Sequence, residues 1–520
     1  MRRRRGRLAA GAIASAAALT VVWDAAAWAA DRIYWADRHG AGFPPVGFAN
    51  LDGSGGANPA ITGATPGFAE GMAIDAVAGK IYWSNGSINR ISFANLDGSG
   101  GGGELDTTGA TVNAPQGAAV DPVGRRIYWA NYSANKISFA SLDGGAGGDL
   151  NTGSATVSGP ISVTIDPAGG RIYWANNSAP KISFASLDGS GGGDIDTTGA
   201  TVAAAWGMAV DLAAGRVYWG NSSAPVGIFF ANLNGTGGGQ LVTTGATVNS
   251  PAGVAIDVPA GRVYWANGNG VISSASVTGA DGRDLSTTGA MIDAANQLAV
   301  LRTPGGTGPP VVTGGTARGS TLSCSQGTWA PDLLASAFHQ APQSFAVQWN
   351  RDGTDIPGST ANSVVAATAG SYQCRVTASN AAGSASQMSA PHAVVPAFGA
   401  RTLVTLRLAR RRIGSREPLR IRVRNRNDFA IRGRLSGRSR VRVEASRVRV
   451  VRLRAKRVRV PAGRARTVKL RLPHVLRREL VRTGRLRLRL TAKVTDPARA
   501  TRTVKKRVSP RLKRRAGAAA

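Results

Sequence analysis

The sequence predicts an all-β chain in three parts, and three observations carry that reading. A Tyr-Trp pair occurs six times, at Tyr34-Trp35, Tyr82-Trp83, Tyr128-Trp129, Tyr173-Trp174, Tyr218-Trp219 and Tyr264-Trp265, at intervals of 45 to 48 residues. Two cysteines, Cys324 and Cys374, stand at equal distances on either side of Trp349. Beyond residue 400, arginine alternates with Leu, Ile and Val, as in Leu419-Arg420-Ile421-Arg422-Val423-Arg424.

The first observation predicts a β-propeller, because a unit of about 40–45 residues carrying short apolar strands buries its two faces only when its neighbours stack on it. Each repeat reads as four strands. The innermost is a small-residue segment ending in an acid, such as Gly71 to Asp75 or Gly117 to Asp121, and the Tyr of the pair follows seven residues after that Asp. The second strand, as in Arg171-Ile172-Tyr173-Trp174, is apolar in succession, which implies cover on both faces. Ile-Ser-Phe-Ala forms the third strand and turns at Leu-Asp-Gly, a hairpin chemistry. Thr-Thr-Gly-Ala, for example Thr107 to Ala110 and Thr197 to Ala200, is expected as the outermost strand.

The first Tyr-Trp pair has no inner strand before it, while an orphan inner strand, Gln297 to Leu301, follows the last repeat. The C-terminal strand is therefore expected to complete the blade begun by the N-terminus. That closes a ring of six blades and hides both sheet edges.

On these residues, about 31 to 302, the chain resembles the low-density-lipoprotein-receptor class B, or YWTD, propeller family. The family tetrapeptide is altered, becoming Tyr34-Trp35-Ala36-Asp37 once and otherwise ending in Asn85, Asn131, Asn176, Asn221 and Asn267. Asn keeps the hydrogen bonding and drops the charge. The resemblance implies the fold and a bias toward binding proteins. The cysteine-rich modules that flank the family's receptor propellers are missing from this sequence, so endocytic receptor function is not implied.

Residues 1–30 read as an export signal: a basic head at Arg2 to Arg5, an apolar stretch from Leu8 to Val22, and Ala27-Trp28-Ala29 as a cleavage site. No later segment is long and apolar enough to span a membrane, so a secreted or surface-associated, extracytoplasmic protein is expected.

The propeller is expected over 31–304, with Thr303 to Pro310 as a linker. Residues 305–397, linker included, are then expected as an immunoglobulin-like sandwich, since Cys324, Trp349, Cys374 and Tyr372 two residues before the second Cys match its inter-sheet disulfide, packed Trp and tyrosine corner. A metal-binding cysteine pair is disfavoured because no third Cys or His lies at ligand spacing.

Residues 398–520 are expected as an Arg-rich antiparallel β-domain with a basic tail. From Arg401 onward there are 42 Lys plus Arg against 5 acids, a net of +37, while the whole chain is +34. Alternation puts Arg420, Arg422, Arg424, Arg440, Arg442, Arg485, Arg487 and Arg489 opposite an apolar face. A short helix is expected from Pro473 to Thr483, stopped by Gly484. The Arg face is either a solvated surface or a contact for polyanions through guanidinium forks. A coding bias toward Arg does not explain why the excess begins only after residue 400. Cell-envelope polymers are favoured over nucleic acid, because the domain has almost no aromatics for base stacking.

Catalysis finds no local motif. His39, His339, His392 and His474 are spread over the three parts with no nucleophile or acid at motif spacing, so the chain is expected to be non-enzymatic, with no cofactor. No metal site is expected either. Asp75, Asp121, Asp166, Asp211 and Asp257 recur once per repeat, as a structural turn requires. Recognition is expected where the repeats differ, just before each inner strand, at Glu70, Gln116, Ile161, Trp206, Ala252 and Asn296, and in the long first loop at Arg38 and His39. Trp206 is the expected exposed anchor, since aromatics are enriched at binding hot spots. The expected function is therefore an exported binding protein whose propeller takes a protein or glycan and whose basic domain associates with anionic envelope polymers. The alternative is a propeller enzyme of lactonase, lyase or hydrolase type, with a site assembled across blades.

Overall fold

The computed structural model describes residues 31–38, 43–65, 67–442 and 447–513. The expected export signal and His39 lie outside them. The chain divides into two compact units: one runs to Gly305 and takes in Pro331–Gln343 and Ser379–Ser384, and the other holds the remainder.

In the first unit five repeats are four-stranded antiparallel sheets, and the sheet that holds the two ends has five strands because Phe338–His339 adds to it in parallel. Each inner strand packs against the next, and the last, Ala295–Leu301, against the first, Ala69–Asp75. Ala295–Leu301 also pairs with Arg32–Asp37, setting Tyr34 opposite Ala299 and Trp35 opposite Leu298. The two ends of the ring thus share one sheet. The unit is a β-propeller.

The Tyr-Trp strands are its core: Trp35, Trp83, Trp129, Trp174, Trp219 and Trp265 are all fully buried. Trp129 Nε1 donates to the Thr111 carbonyl at 3.0 Å, and Trp174 Nε1 to that of Thr156 at 2.8 Å. The Asn two residues later explains itself by its bonds. Asn131 Oδ1 accepts from the Asn113 N–H at 2.8 Å, and its Nδ2 donates to Ser138 Oγ at 2.8 Å, which donates to Asp149 at 2.6 Å. Asn176, Ser183 and Asp194 repeat the chain, as do Asn267, Ser273 and Asp284. A buried amide both donates and accepts, a task that a carboxylate performs only when protonated. The inner-strand acids cap turns: Asp121 Oδ1 accepts from the Gly124 N–H at 2.8 Å, Asp166 from Gly169 at 2.9 Å and Asp257 from Ala260 at 3.1 Å.

One expectation fails here. The outermost strand is not Thr-Thr-Gly-Ala but the glycine-rich segment before it, as at Gly147–Asp149 and Gly192–Asp194. The Phe ring of the third strand lies over that segment, and a Cβ on Gly148 would come 3.1 Å from Phe139 Cζ. Thr107 to Ala110 is a tight turn, closed by the Ala110 N–H on the Thr107 carbonyl at 3.0 Å with Gly109 at φ +89°. Glycine was needed for close packing where the sequence pattern reads it as loop.

In the second unit, Thr321–Cys324 lies between Val312–Gly314 and Ser363–Val365, and Ser344–Arg351 pairs with Gly370–Asn380 in another sheet. The Cys324–Cys374 disulfide joins the two sheets. Trp349 is fully buried in the same cluster, and Tyr372 Oη donates to the Thr368 carbonyl at 2.8 Å.

The C-terminal residues of this unit form a three-stranded sheet, Val404–Leu408, Leu419–Asn425 and Ala465–Leu470, and a four-stranded sheet ordered Val448–Val460, Ile431–Arg442, Leu488–Thr495, Thr501–Val508. Alternation holds as expected: Leu419, Ile421, Val423, Leu488 and Leu490 are buried, while Arg422, Arg424 and Arg489 are exposed. A helix spans His474–Thr483 after Pro473 and ends at Gly484 with φ 68°. Its Leu476 and Leu480, one turn apart, are buried.

Candidate functional site

At one level of the hub stand Gly71, Gly117, Ser162, Gly207 and Gln297, each third in its strand, and Gly253, just before Val254–Asp257. A Cβ on Gly117 would lie 2.6 Å from the Ile161 carbonyl oxygen, and one on Gly253 2.8 Å from that of Asn296. Neighbouring strands touch backbone to backbone at this level, so small residues fill five positions. Gln297 takes the sixth and reaches across the axis. Its Oε1 accepts from the N–H groups of Met72 at 3.2 Å and Ala118 at 2.9 Å, and its Nε2 donates to the carbonyls of Ala118 at 2.7 Å and Val163 at 3.4 Å. The sequence reading missed this residue, although one long polar side chain among five small ones was its signal.

One residue earlier on the strands lies the mouth. Arg38 Nε stands 3.1 Å from Glu70 Oε2, and its guanidinium lies 5.3 Å from the centre of the Trp206 ring. Asn296 Nδ2 donates to the same Glu70 oxygen at 3.3 Å. The first loop and three hub strands thus meet in one cluster. Burial pushes the Glu70 carboxyl above its ordinary range, and the adjacent Arg38 opposes that shift. Trp206 Nε1 is buried without an acceptor among the described residues.

Four expected site residues, Arg38, Glu70, Trp206 and Asn296, are therefore brought together. Gln116 and Ile161 are as buried as Glu70 and Asn296, at 8% and 4% exposure, and no side-chain hydrogen bond or ion pair joins them to the cluster among the described residues. Trp206 is half-buried under Arg38 and is not a free aromatic anchor.

The opposite end is plugged by the segment 331–343. Thr164 Oγ1 donates to the Ala335 carbonyl at 2.8 Å, Ser336 Oγ to that of Val210 at 2.7 Å, and Phe338–His339 adds a parallel strand to Ala295–Leu301. His339 Nδ1 lies 3.3 Å from Asp332 Oδ2. Burial pushes the Asp332 carboxyl up, but His339 and the N–H groups of Ala341 and Gln340 hold it below its ordinary value. Between plug and Gln297 the channel keeps about 30 Å³, about the space of one water. The channel interior therefore has no room for a larger ligand, and on the plug side a recess of about 470 Å³ opens between Asp166, Asp211 and Leu333. The sequence pattern assigns the 331–343 segment to the sandwich, but it packs with the first unit, and a loop that docks on other strands leaves no periodic pattern.

The arginines fall on two sheets instead of one face. Arg420, Arg422 and Arg424 line the outside of the three-stranded sheet, where Arg422 is opposite Arg407 and Arg420 opposite Lys469. Arg440, Arg442 and Arg489 belong to the four-stranded sheet. Arg485 and Arg487 precede its third strand, which begins only at Leu488 after the Gly484 helix stop; Arg485 instead lines a recess of about 670 Å³ with Arg407, Arg411 and Arg412.

No family model matches the chain, and no curated protein matches it. Solved structures do resemble it. A nidogen/laminin complex structure is 16% identical over 52% of this chain and 97% of that one, with a TM-score of 0.41. A gluconolactonase from Xanthomonas campestris is 17% identical over 45% and 79%, at 0.35. A putative 6-phosphogluconolactonase from Bacteroides fragilis is 14% identical over 52% and 98%, at 0.36. These likenesses concern the fold alone. They also correct the expectation of a non-enzymatic chain: proteins named as lactonases are found among its structural neighbours. A propeller site is assembled from side chains of different blades, so a missing local motif does not exclude one.

Proposed function

We propose that this is an extracytoplasmic protein held at the cell envelope by its C-terminal sheets, which grip anionic polymers, and that it presents a six-bladed YWTD-type ring whose mouth recognises a protein or glycan. The disulfide-linked sheets serve as an Ig-like spacer. One observation carries the anchoring role: the C-terminal charge is uncompensated. Of its described acids, Glu417 accepts from the Gly414 N–H, Asp428 pairs with Arg318, Glu479 with Arg482, and Asp496 accepts from the N–H groups of Phe398 and Ala500. The outward cations are left to seek anions elsewhere. The disulfide is in keeping with an oxidising compartment, and no helix among the described residues is long and apolar enough to cross a membrane. Retention of the full chain on immobilised polyphosphate across a salt series tests the anchor. Elution should require rising salt, and flow-through at low salt would refute it.

A second reading is favoured by Glu70, a buried carboxyl with a raised pKa that sits with Arg38, Trp206 and Asn296 at the mouth of the ring. Such groups cluster at catalytic sites. A panel of lactones and glycosides assayed with the wild type and Glu70→Gln tests it: turnover lost in the variant supports catalysis at the mouth, and turnover by both proteins or by neither removes it.

A further inference from the structure

We propose that the outward face of the four-stranded C-terminal sheet is a groove for a phosphodiester polymer without bases, a polyol-phosphate chain lying along Ile431–Arg442. This rests on the anchoring role proposed above and narrows it to one face and one chemistry.

The groove encloses about 930 Å³. Its cations come from three of the sheet's four strands and one strand of the neighbouring sheet. Arg432 stands directly opposite Arg459, Arg434 directly opposite both Arg457 and Lys493, and Arg466 joins from Ala465–Leu470. Like charges directly across a sheet repel and destabilise it. None of these six forms an ion pair among the described residues, and every described C-terminal acid is engaged elsewhere. The fold therefore carries a repulsion that a bound polyanion would relieve.

Shape and donors narrow the anion. The register shifts opposite Ser436, between Leu435 and Gly437, where the small side chain of Ala455 lies in the groove; a bulge bends its strand. Ser436, Thr491 and Thr495 put hydroxyls beside the arginines. Guanidinium forks combined with hydroxyls can surround the oxygens of a tetrahedral phosphate, whereas one fork already satisfies a planar carboxylate. Rows at alternate residues recur every ~6.7 Å along a strand, so a chain with one anion per repeat can set successive charges over successive rows. No aromatic side chain lines the groove, which leaves bases nothing to stack on.

The test uses the full-length chain and purified poly(glycerol phosphate) in a salt titration, with polyglutamate, oligo-dT and anionic phospholipid vesicles as comparators. The groove variant is Arg434→Ser with Arg457→Ser and Arg459→Ser, and the control is Arg420→Ser with Arg422→Ser and Arg424→Ser. The groove variant should bind the polyol phosphate at least tenfold more weakly, with a log–log salt slope shallower by about 2, at ~0.7 per lost contact. It should melt no lower than the wild type, because the substitutions relieve repulsion. Loss of binding in the control but not in the groove variant overturns the groove and leaves the anchor standing. Absence of binding to any polyanion overturns both. Equal or tighter binding of polyglutamate, oligo-dT or vesicles overturns the proposed chemistry.

Discussion

Gln297 Nε2 donates to the Ala118 carbonyl oxygen at 2.7 Å across 179 residues of chain. The strand that closes the ring thereby ties together backbones of three other hub strands, at Met72, Ala118 and Val163.

Gln297→Ala should destabilise the ring by about 1–3 kcal/mol, since it leaves backbone groups without partners. Deleting Asn296 to Leu301 should abolish cooperative melting, because it unpairs the sheet holding Tyr34 and Trp35. Thermal denaturation followed by circular dichroism reads both changes; an unchanged melting curve for the deletion would show that the ring does not depend on this closure.

Cys324→Ala combined with Cys374→Ala should lower the stability of the disulfide-linked sheets by about 4 kcal/mol on chain-entropy reasoning. Calorimetry should show one transition falling while the propeller's stays in place. Non-reducing peptide mapping of protein recovered from an extracytoplasmic fraction should find the two cysteines joined, and free thiols there would contradict the proposed compartment.

Acid should loosen the ring. Burial acts to raise the Asp194 carboxyl, but hydrogen bonds from Lys181, Ser183 and Thr156 lower it to about 2 from an ordinary 3.8, and Asp149 and Asp284 shift in the same direction. A depressed folded-state pKa contributes stability that is present above the unfolded value and lost as pH falls toward the folded one. The melting temperature should therefore drop between about pH 4 and pH 2, and Asp194→Asn should flatten part of that slope. An equally steep slope in the variant would assign the acid sensitivity elsewhere.

The fold could be read from the chain wherever burial repeats with a period. The Tyr-Trp strands, the orphan strand, the alternating Arg strands and the helix ending at Gly484 all leave such a pattern. What left none was contact made by backbone or by a single side chain. The glycine-rich outer strands are invisible because Gly148 is chosen for the Phe139 ring above it. The 331–343 plug is held through carbonyls such as that of Ala335. At the mouth, differences between the repeats mark Glu70, Trp206 and Asn296, but nothing in the sequence signals that Arg38 lies against Glu70 and Trp206, a contact made by a single long side chain.

The most direct measurement compares the full chain with one ending at Ala400 on envelope preparations washed with increasing salt. At 1 M salt the Debye length shrinks to about 3 Å, so the full chain should leave the envelope without detergent. The shorter chain should not be retained even at low salt. Equal retention of the two, or release of the full chain by detergent alone, would contradict attachment through the arginine sheets.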